Sequence, residues 1–329
     1  MPSPLPPEPA GGAAGPPPPS SKSRVTWRIA LRNTAIISLI TIILVEIILR
    51  ALGVANPVLY ERDVNTGYRL KPNQHVTYFG NTIHINEHGV RDARTLERPD
   101  PFRKRVLVLG DSVTWGGVLL PQDALFTSVA ESHLEYTDII NAGVNGYSVN
   151  QMAKLYRTHL ESLRPDIVIV CVIPRDFERP PITRLSGKGV AFPETRPALA
   201  LLHAMAICRQ VLQDRYHWKW LSVSPATAVE AQSEFTYEDV NVRSISELRK
   251  EIHCPLLLVF LPSQDTESER KVRQTQIAEL PRIGVSAIDI GGQLETSPRD
   301  FIDRVHLSAD GHKKIGTALA AVIQDFAGE

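Results

Sequence analysis

The sequence predicts a three-layer α/β domain with a mostly parallel sheet, preceded by a small β-rich segment and an N-terminal apolar helix. From Arg105 onward, continuous apolar strands alternate with helical patterns, which is typical of a parallel sheet covered by helices on both faces. Upstream, residues 33–54 form an almost unbroken apolar run. Hydrophobic residues make up 43% and charged residues 22%, so wholesale disorder is excluded.

The charge balance and the cysteines exclude two classes of protein. Lys plus Arg and Asp plus Glu both number 36, so the chain lacks the basic character of a nucleic-acid-binding protein. Three cysteines cannot build a disulfide scaffold, and no Cys-x-x-Cys pair offers a zinc site. Cys171 lies in an apolar strand, Cys208 in a helical pattern and Cys254 just before a strand, so we expect at least one buried free thiol.

Residues 1–26 predict a disordered, proline-rich cytoplasmic tail. Nine of the 25 prolines fall in the first 20 residues, and such a composition cannot bury apolar area. A ligand for a proline-binding domain is the alternative interpretation of this tail. Residues 27–54 predict a transmembrane anchor, since residues 33–54 as a helix are about 33 Å long. Apolar residues on all sides of this helix disfavour a core helix.

A cleaved signal peptide is the main alternative to the anchor, with Gly53-Val54-Ala55 as its processing site. The length of the run favours an uncleaved anchor, and so do Glu46 and Arg50 in its C-terminal half, which are spaced as a helical ion pair. Four basic residues precede the span and only Glu8 opposes them. We therefore expect the N-terminus in the cytoplasm and the remaining domain outside it, with the membrane as a partner through residues 27–54.

The rest of the chain divides into a preamble over residues 55–103 and a main domain over residues 104–329. Alternating runs around Gly80 predict a β-hairpin in the preamble. An insertion over about 177–250 carries aromatic residues and is expected to form a lid, a substrate wall or a packed loop. The aromatic residues of the insertion are Tyr216, Trp218 and Trp220. The strands predicted for the main domain are 106–109, 138–142, 167–173, 256–261 and 285–290. Its predicted helices include 122–135, 149–163 and 308–326.

Candidate catalytic residues stand where predicted strands end. The first strand runs into Asp111 and Ser112 just before a helix, where backbone N–H groups favour developing negative charge. Ser112 as a simple helix cap is the alternative. A nucleophilic serine requires a base and an orienting acid, and the loop after the last strand holds Asp303 and His306. The turn after the second strand contains Gly146, which lets a backbone N–H approach an oxyanion.

Together, these blocks resemble the SGNH (GDSL-type) hydrolase family over residues 104–329. The preamble motif, residues 86–91, is similar to that of membrane-anchored bacterial members. The resemblance implies a flavodoxin-like sheet order and a catalytic triad of Ser112, Asp303 and His306. It implies an oxyanion hole that includes the N–H groups of Ser112 and Gly146.

One block departs from the family pattern. The third block of the family, Gly-x-Asn-Asp, corresponds here to Ile173-Pro174-Arg175-Asp176, so Arg175 stands where the Asn donor is expected. Arg175 is expected to replace that donor, to bind an anionic group of the substrate, or to point into solvent. Losing one oxyanion donor costs about 2.7–4 kcal/mol of transition-state stabilisation.

The resemblance implies a serine esterase that acts through an acyl-enzyme on an ester of a carbohydrate or lipid, including O-acetyl groups of an envelope polysaccharide. An O-acyltransferase and a non-catalytic envelope-binding module are the alternatives. No metal or cofactor is expected, and the oligomeric state is left open. Residues 84–88 match a His-x-x-Glu-His zinc pattern, but that pattern requires a helix, and here it follows a strand and runs into Gly89.

Overall fold

The computed structural model divides the chain into two compact units, Met1–Ile48 and Leu49–Glu329. Most of the proline-rich tail, Trp218 and Trp220 fall outside the described residues, as does the side chain of Tyr216. The described residues are 21–96, 100–181, 189–216 and 236–328.

Helix α1, Ser21–Ala51, covers residues 27–51 of the segment 27–54 that was predicted as an anchor. Its segment Thr26–Ala51 is, among the described residues, the one helix long and apolar enough to cross a membrane. The turn after it requires a glycine, because Gly53 has φ +77° and a Cβ there would lie 1.9 Å from the carbonyl oxygen of Thr77. The chain therefore leaves the helix through a fixed, tightly packed turn.

The preamble forms two antiparallel hairpins, β1–β2 and β3–β4. The second hairpin is the one predicted around Gly80, and its first strand alternates between buried and exposed side chains. The first hairpin was not predicted, because its strands have four residues each and carry charged side chains. The strands are β1 Tyr60–Asp63, β2 Gly67–Leu70, β3 Gln74–Tyr78 and β4 Asn81–Ile85.

Five parallel strands form the central sheet, in the order β6-β5-β7-β8-β9. This is the flavodoxin-like order, in which the first and third strands of the domain are neighbours. The predicted fold class is confirmed. The strands are β5 Lys104–Gly110, β6 Thr137–Gly143, β7 Ile167–Val172, β8 Leu256–Phe260 and β9 Ser286–Asp289.

Helices and the preamble cover the two faces of this sheet. Successive side chains of a strand point to opposite faces, so Leu107 and Leu109 enter one hydrophobic core while Val106 and Val108 enter the other. The helices after α1 are α2 Ser112–Trp115, α3 Phe126–Ser132, α4 Val149–Leu155, α5 Arg175–Glu178, α6 Ala200–Tyr216, α7 Tyr237–Glu251, α8 Glu267–Glu279, α9 Ile290–Gln293 and α10 Ala309–Gly328.

The first core also contains the preamble and residues of α4 and α7, and the second contains residues of α3 and α10. Helix α7 lies within the stretch predicted as an insertion and packs against α4. The predicted helix 149–163 continues beyond α4 as a π-helical turn, Tyr156–Leu160, and a 3₁₀ turn, Glu161–Leu163. Cys171 is a buried free thiol, Cys254 is partly buried and Cys208 is exposed.

Helix α2 packs so closely on the end of β6 that Gly143 has no room for a side chain. A Cβ at this position would lie 2.2 Å from the backbone nitrogen of Trp115 and 2.6 Å from the carbonyl carbon of Thr114. Both are backbone atoms, so neither can move aside as a flexible side chain would. The position of the turn after β5 is therefore tied to β6.

Gly143→Ala is expected to lower the free energy of unfolding by about 1–3 kcal/mol, because the added methyl group overpacks a backbone contact. Chemical denaturation of the full-length chain in detergent measures this. Gly284→Asn is the matched control, since Gly284 has φ +74°, which Asn tolerates, and nothing lies within 4 Å of its Cβ position. Equal stability of the two variants would contradict the packing argument.

Candidate active site

Helix α2 begins at Ser112 and is a single turn held at both ends. Asp111 is its N-cap, and its Oδ1 accepts the N–H of Val113 at 2.8 Å. Gly116 ends the helix in the left-handed conformation, with φ +76°, and donates its N–H to the carbonyl oxygen of Ser112. The sequence Asp-Ser-x-x-x-Gly therefore folds locally into a short turn that fixes the backbone of Ser112.

Ser112, His306 and Asp303 form one continuous chain of hydrogen bonds. The His306 Nε2 atom lies 2.8 Å from Ser112 Oγ, and His306 Nδ1 lies 2.7 Å from Asp303 Oδ2. The other carboxylate oxygen of Asp303 accepts the N–H groups of Val305 and His306 at 2.9 and 2.8 Å. These bonds fix the loop that carries both residues, and Ser112 comes within reach of the imidazole although it lies 194 residues away.

His306 and Asp303 each shift the pKa of the other in the direction that favours its charged form. The hydrogen bond that His306 donates to Asp303, opposed by burial, raises the pKa of His306 above its ordinary 6.5. Burial tends to raise the pKa of Asp303, but the hydrogen bonds from His306 and from the Val305 N–H outweigh it and hold that pKa well below its usual range. Asp303 is therefore an ionised acceptor at neutral pH. Neutral His306 then carries its proton on Nδ1 and accepts from Ser112 at Nε2.

A partly buried arginine lies behind the turn that carries Ser112. Arg179 Nη2 is 3.5 Å from Asp111 Oδ2 and 3.3 Å from Asp176 Oδ1, and Nη1 donates to the carbonyl oxygen of Tyr147 at 3.1 Å. It thus joins the loops that follow β5, β6 and β7. Asp176 is fully buried and accepts the N–H of Ile173 at 3.0 Å.

Burial and the neighbouring Asp111 raise the pKa of Asp176 well above its ordinary value, in spite of the positive charge of Arg179. This direction favours the protonated carboxylic acid. Asp176, like Asp111, lies on the buried side of the turn, whereas Asp303 and His306 lie at the surface.

Ser112 and His306 open on a cavity of about 290 Å³. Loop residues after α2 form one wall and residues on either side of His306 form the other. Leu119 and Ile302 are exposed at 59% and 58%, which gives the cavity an apolar surface open to solvent. The lining residues are Ser112, Val113, Gly116, Gly117, Val118, Leu119, Asn145, Ile302, Asp303, His306, Leu307 and His312.

His312 is a second histidine in the cavity wall and differs from His306 in charge. Burial, with help from the positive charge of Arg91, lowers its pKa to about 4. The Phe126 N–H donates to its Nδ1 at 3.0 Å. His312 is therefore neutral at pH 7, with its proton on Nε2, and satisfies the first N–H of α3.

The predicted oxyanion-hole residues fall in different places. Ser112 lies at the cavity, and Gly146 follows Asn145, which lines it. Within the described part of the chain, neither the Ser112 N–H nor the Gly146 N–H donates to another residue. Arg175 is exposed at the start of α5. Arg179, one turn later, contacts Asp111 in the turn that carries Ser112.

Sequence reasoning missed Arg179, Asn145 and His312. Asn145 stands next to the predicted Gly146, so its position was the available signal. His312 lies inside the predicted helix 308–326 rather than at the end of a strand, so its position along the chain carried no signal. Nothing in the sequence marks Arg179, because its partners come from three different loops.

The His-x-x-Glu-His pattern has the backbone expected for it. His84 is in β4 and His88 is in the turn that follows, so the two do not share a helical face. Among the described residues, no group of three or more His, Cys, Asp or Glu side chains is placed to hold a metal ion.

The solved structures that this chain resembles share little sequence with it. No protein-family model matches the sequence, and no curated protein matches it. A member of the lipolytic protein G-D-S-L family from Veillonella parvula DSM 2008 is 14% identical, with a TM-score of 0.39, over 67% of this chain and 98% of that one. An acetyl xylan esterase is 14% identical, with a TM-score of 0.42, over 67% and 99%.

A two-domain esterase active on acetylated mannans is 12% identical, with a TM-score of 0.40, over 69% of this chain and 50% of that one. We draw no conclusion about function from similarities of this size.

The two cavity histidines are expected to titrate on opposite sides of pH 6.5, His306 above it and His312 near 4. Histidine ¹⁵N NMR of the full-length chain measures both pKa values. Asp303→Asn removes the largest cause of the raised value, so the His306 pKa should fall while that of His312 stays within a few tenths of a unit. A His306 pKa unchanged by this substitution would contradict the pairing.

Proposed function

We propose that this chain is a serine hydrolase that cleaves ester bonds through an acyl-enzyme. The observation that carries the proposal is the hydrogen-bonded chain from Asp303 through His306 to Ser112, opening on a cavity. A base within hydrogen-bond reach of the nucleophile, itself oriented by a third group, is the geometry that activates a serine.

In the proposed reaction, Ser112 Oγ attacks the ester carbonyl carbon as its proton passes to His306 Nε2. The imidazolium that forms is stabilised by Asp303, and it gives the proton to the departing alcohol oxygen when the ester C–O bond breaks. Water then attacks the acyl-enzyme, again with His306 as base, and releases the carboxylic acid and free Ser112. Because His306 must be neutral to start this sequence, activity falls as pH drops through its raised pKa.

The oxyanion of the tetrahedral intermediate needs N–H donors close to Ser112. We assign this role to the backbone N–H groups of Ser112 and Gly146. Their support is that both are unused as donors within the described chain and stand at the start of a helix and in a glycine turn. The exposed Arg175 gives no support for a third donor at that position.

We propose an ester of a carbohydrate or lipid as the substrate class, including O-acetyl groups of an envelope polysaccharide. The apolar walls around Val118, Leu119 and Ile302 suit the acyl side of an ester, since a hydrocarbon group loses its contact with water there. The open mouth of the cavity leaves the alcohol side in solvent.

A fluorophosphonate probe should label the full-length chain in detergent once, at Ser112. Ser112→Ala should abolish the labelling and His306→Ala should slow it by about 10⁴-fold or more, because the serine loses its base. Intact mass spectrometry counts the adducts and gives their rate of formation.

Three control variants make the labelling result specific. Ser132→Ala and His253→Ala change exposed residues of the same types, and Arg175→Ala removes the exposed arginine of the third block. All three should react at the rate of the parent. An unlabelled but folded parent would reject the hydrolase and favour a binding role, and a slow Arg175→Ala would show that this side chain assists the oxyanion.

We also propose that α1 anchors the chain in a membrane with its N-terminus in the cytoplasm. The supporting observations are the length of the segment Thr26–Ala51, its apolar composition and the basic residues before it. Proteins of this kind stay in the membrane fraction after alkaline washing.

Cys208 provides a direct test of orientation, because it is exposed while Cys171 is buried. A membrane-impermeant maleimide added to intact cells should label Cys208 fastest, and Cys208→Ser should remove this fast labelling while the partly buried Cys254 reacts slowly. Intact mass should show that the chain is uncleaved. Labelling only after lysis would reverse the orientation, and a mass corresponding to a chain that begins near residue 56 would identify a cleaved signal peptide.

A further inference from the structure

Arg91 connects the preamble to the turn that carries Ser112. The backbone N–H of Arg91 donates to the carbonyl oxygen of Asn141 at 2.9 Å and forms an isolated bridge with the edge strand β6. This bridge fixes the start of the side chain beside the sheet. The side chain is 2% exposed, which is rare for an arginine.

The guanidinium group of Arg91 binds three carbonyl oxygens of the segment after Ser112. Nη1 donates to Trp115 at 2.7 Å and also to Gly117, and Nη2 donates to Leu120 at 3.0 Å. The carbonyl of Trp115 is at the C-terminus of α2 and has no partner within that helix. Arg91 therefore caps the helix whose first residue is Ser112 and binds the loop that forms one wall of the cavity.

The guanidinium group of Arg91 is stabilised by the dipoles of the backbone carbonyls and by the aromatic face of Trp115. The guanidinium carbon lies 4.6 Å from the ring centroid of Trp115, a cation–π distance. Burial lowers the pKa of Arg91, to about 9, which reflects the cost of removing the charge from water. Carbonyl oxygens at a helix C-terminus carry partial negative charge, so they offset part of this cost.

Asn141 supports the same helix from the sheet. Its Nδ2 donates to the carbonyl oxygen of Thr114 at 2.7 Å, and its Oδ1 accepts the N–H of Gly143 at 3.0 Å. The two final carbonyls of α2 are thus bound by adjacent donors, the side chains of Asn141 and Arg91. Only Arg91 continues into the loop beyond the helix.

We propose that Arg91 is a positioning residue for Ser112, which it holds in place through the C-terminus of α2 and the cavity loop 115–120. The inference rests on the proposed function in taking Ser112 as the nucleophile. It makes the preamble a structural part of the active site, although none of the proposed catalytic residues lies in it.

Loss of Arg91 should loosen this segment and slow the reaction of Ser112. Arg91→Ala is expected to raise the backbone hydrogen exchange of peptides covering 112–120 and to slow fluorophosphonate labelling by about 10²-fold, the effect of a small misplacement of a reacting group. Arg91→Lys keeps the charge but reaches fewer carbonyls, and should fall between Arg91→Ala and the parent. Free guanidinium ion at millimolar concentration should restore part of the Arg91→Ala rate, which a general loss of stability would not allow.

Arg105→Ala is the matched control. Arg105 is 5% exposed and also donates to a backbone carbonyl, that of Leu163, but at the other end of β5. Its loss should lower stability without changing the exchange of 112–120 or the labelling rate of the folded protein.

Three results would overturn the inference. They are exchange of 112–120 in Arg91→Ala equal to that of the parent, a labelling rate within twofold of the parent, or equal effects of Arg91→Ala and Arg105→Ala. If Arg91→Ala does not fold, Arg91→Lys is held to the same criteria. A parent that never reacts with the probe would reject the proposed hydrolase alone, and the exchange comparison would then decide on Arg91.

Discussion

The close contact between α2 and the end of β6 is the constraint on which the site depends. The backbone of Trp115 occupies the space that a side chain at 143 would fill. Because β6 pairs with β5 in register along its whole length, this contact fixes the turn after β5 in direction as well as in distance. Ser112 is the first residue of that turn, so its place follows from sheet geometry and from a missing Cβ.

Two arginines, Arg91 buried and Arg179 partly buried, hold the turn from different sides, and they do so in different ways. Arg179 contacts the carboxyl groups of Asp111 and Asp176, whereas Arg91 binds backbone carbonyls and an aromatic ring. Removing one partner of a buried charge leaves the other uncompensated, so each arginine is tied to its surroundings by the cost of an unpaired group. The turn that carries Ser112 is therefore held by electrostatic interactions that lie mostly out of solvent, so salt weakens them little.

The sequence predicted the parts of this structure that local patterns determine. Continuous apolar runs marked β5 to β9. Short motifs at the end of β5 and in the loop after β9 marked Ser112, Asp303 and His306 as candidates, and the structure brings these three side chains within hydrogen-bond distance. The first hairpin, β1–β2, was not predicted because its short strands carry charged side chains. The roles of Arg91 and Arg179 beside Ser112 were not predicted, for another reason. Their partners lie on loops and strands that only the folded topology brings together, so no spacing along the chain marks them.

The members of the proposed triad differ in exposure to solvent, and this difference has a chemical consequence for the proposed reaction. Ser112 stands on a buried, braced turn, while the side chains of His306 and Asp303 are 40% and 54% exposed. In the proposed reaction, water screens the ion pair that forms between these two side chains, which weakens the stabilisation of that pair. A substrate whose acyl group fills the apolar cavity displaces that water from one side of His306. On the proposed mechanism, binding of the acyl group therefore strengthens the interaction between Asp303 and His306 that the chemical step requires.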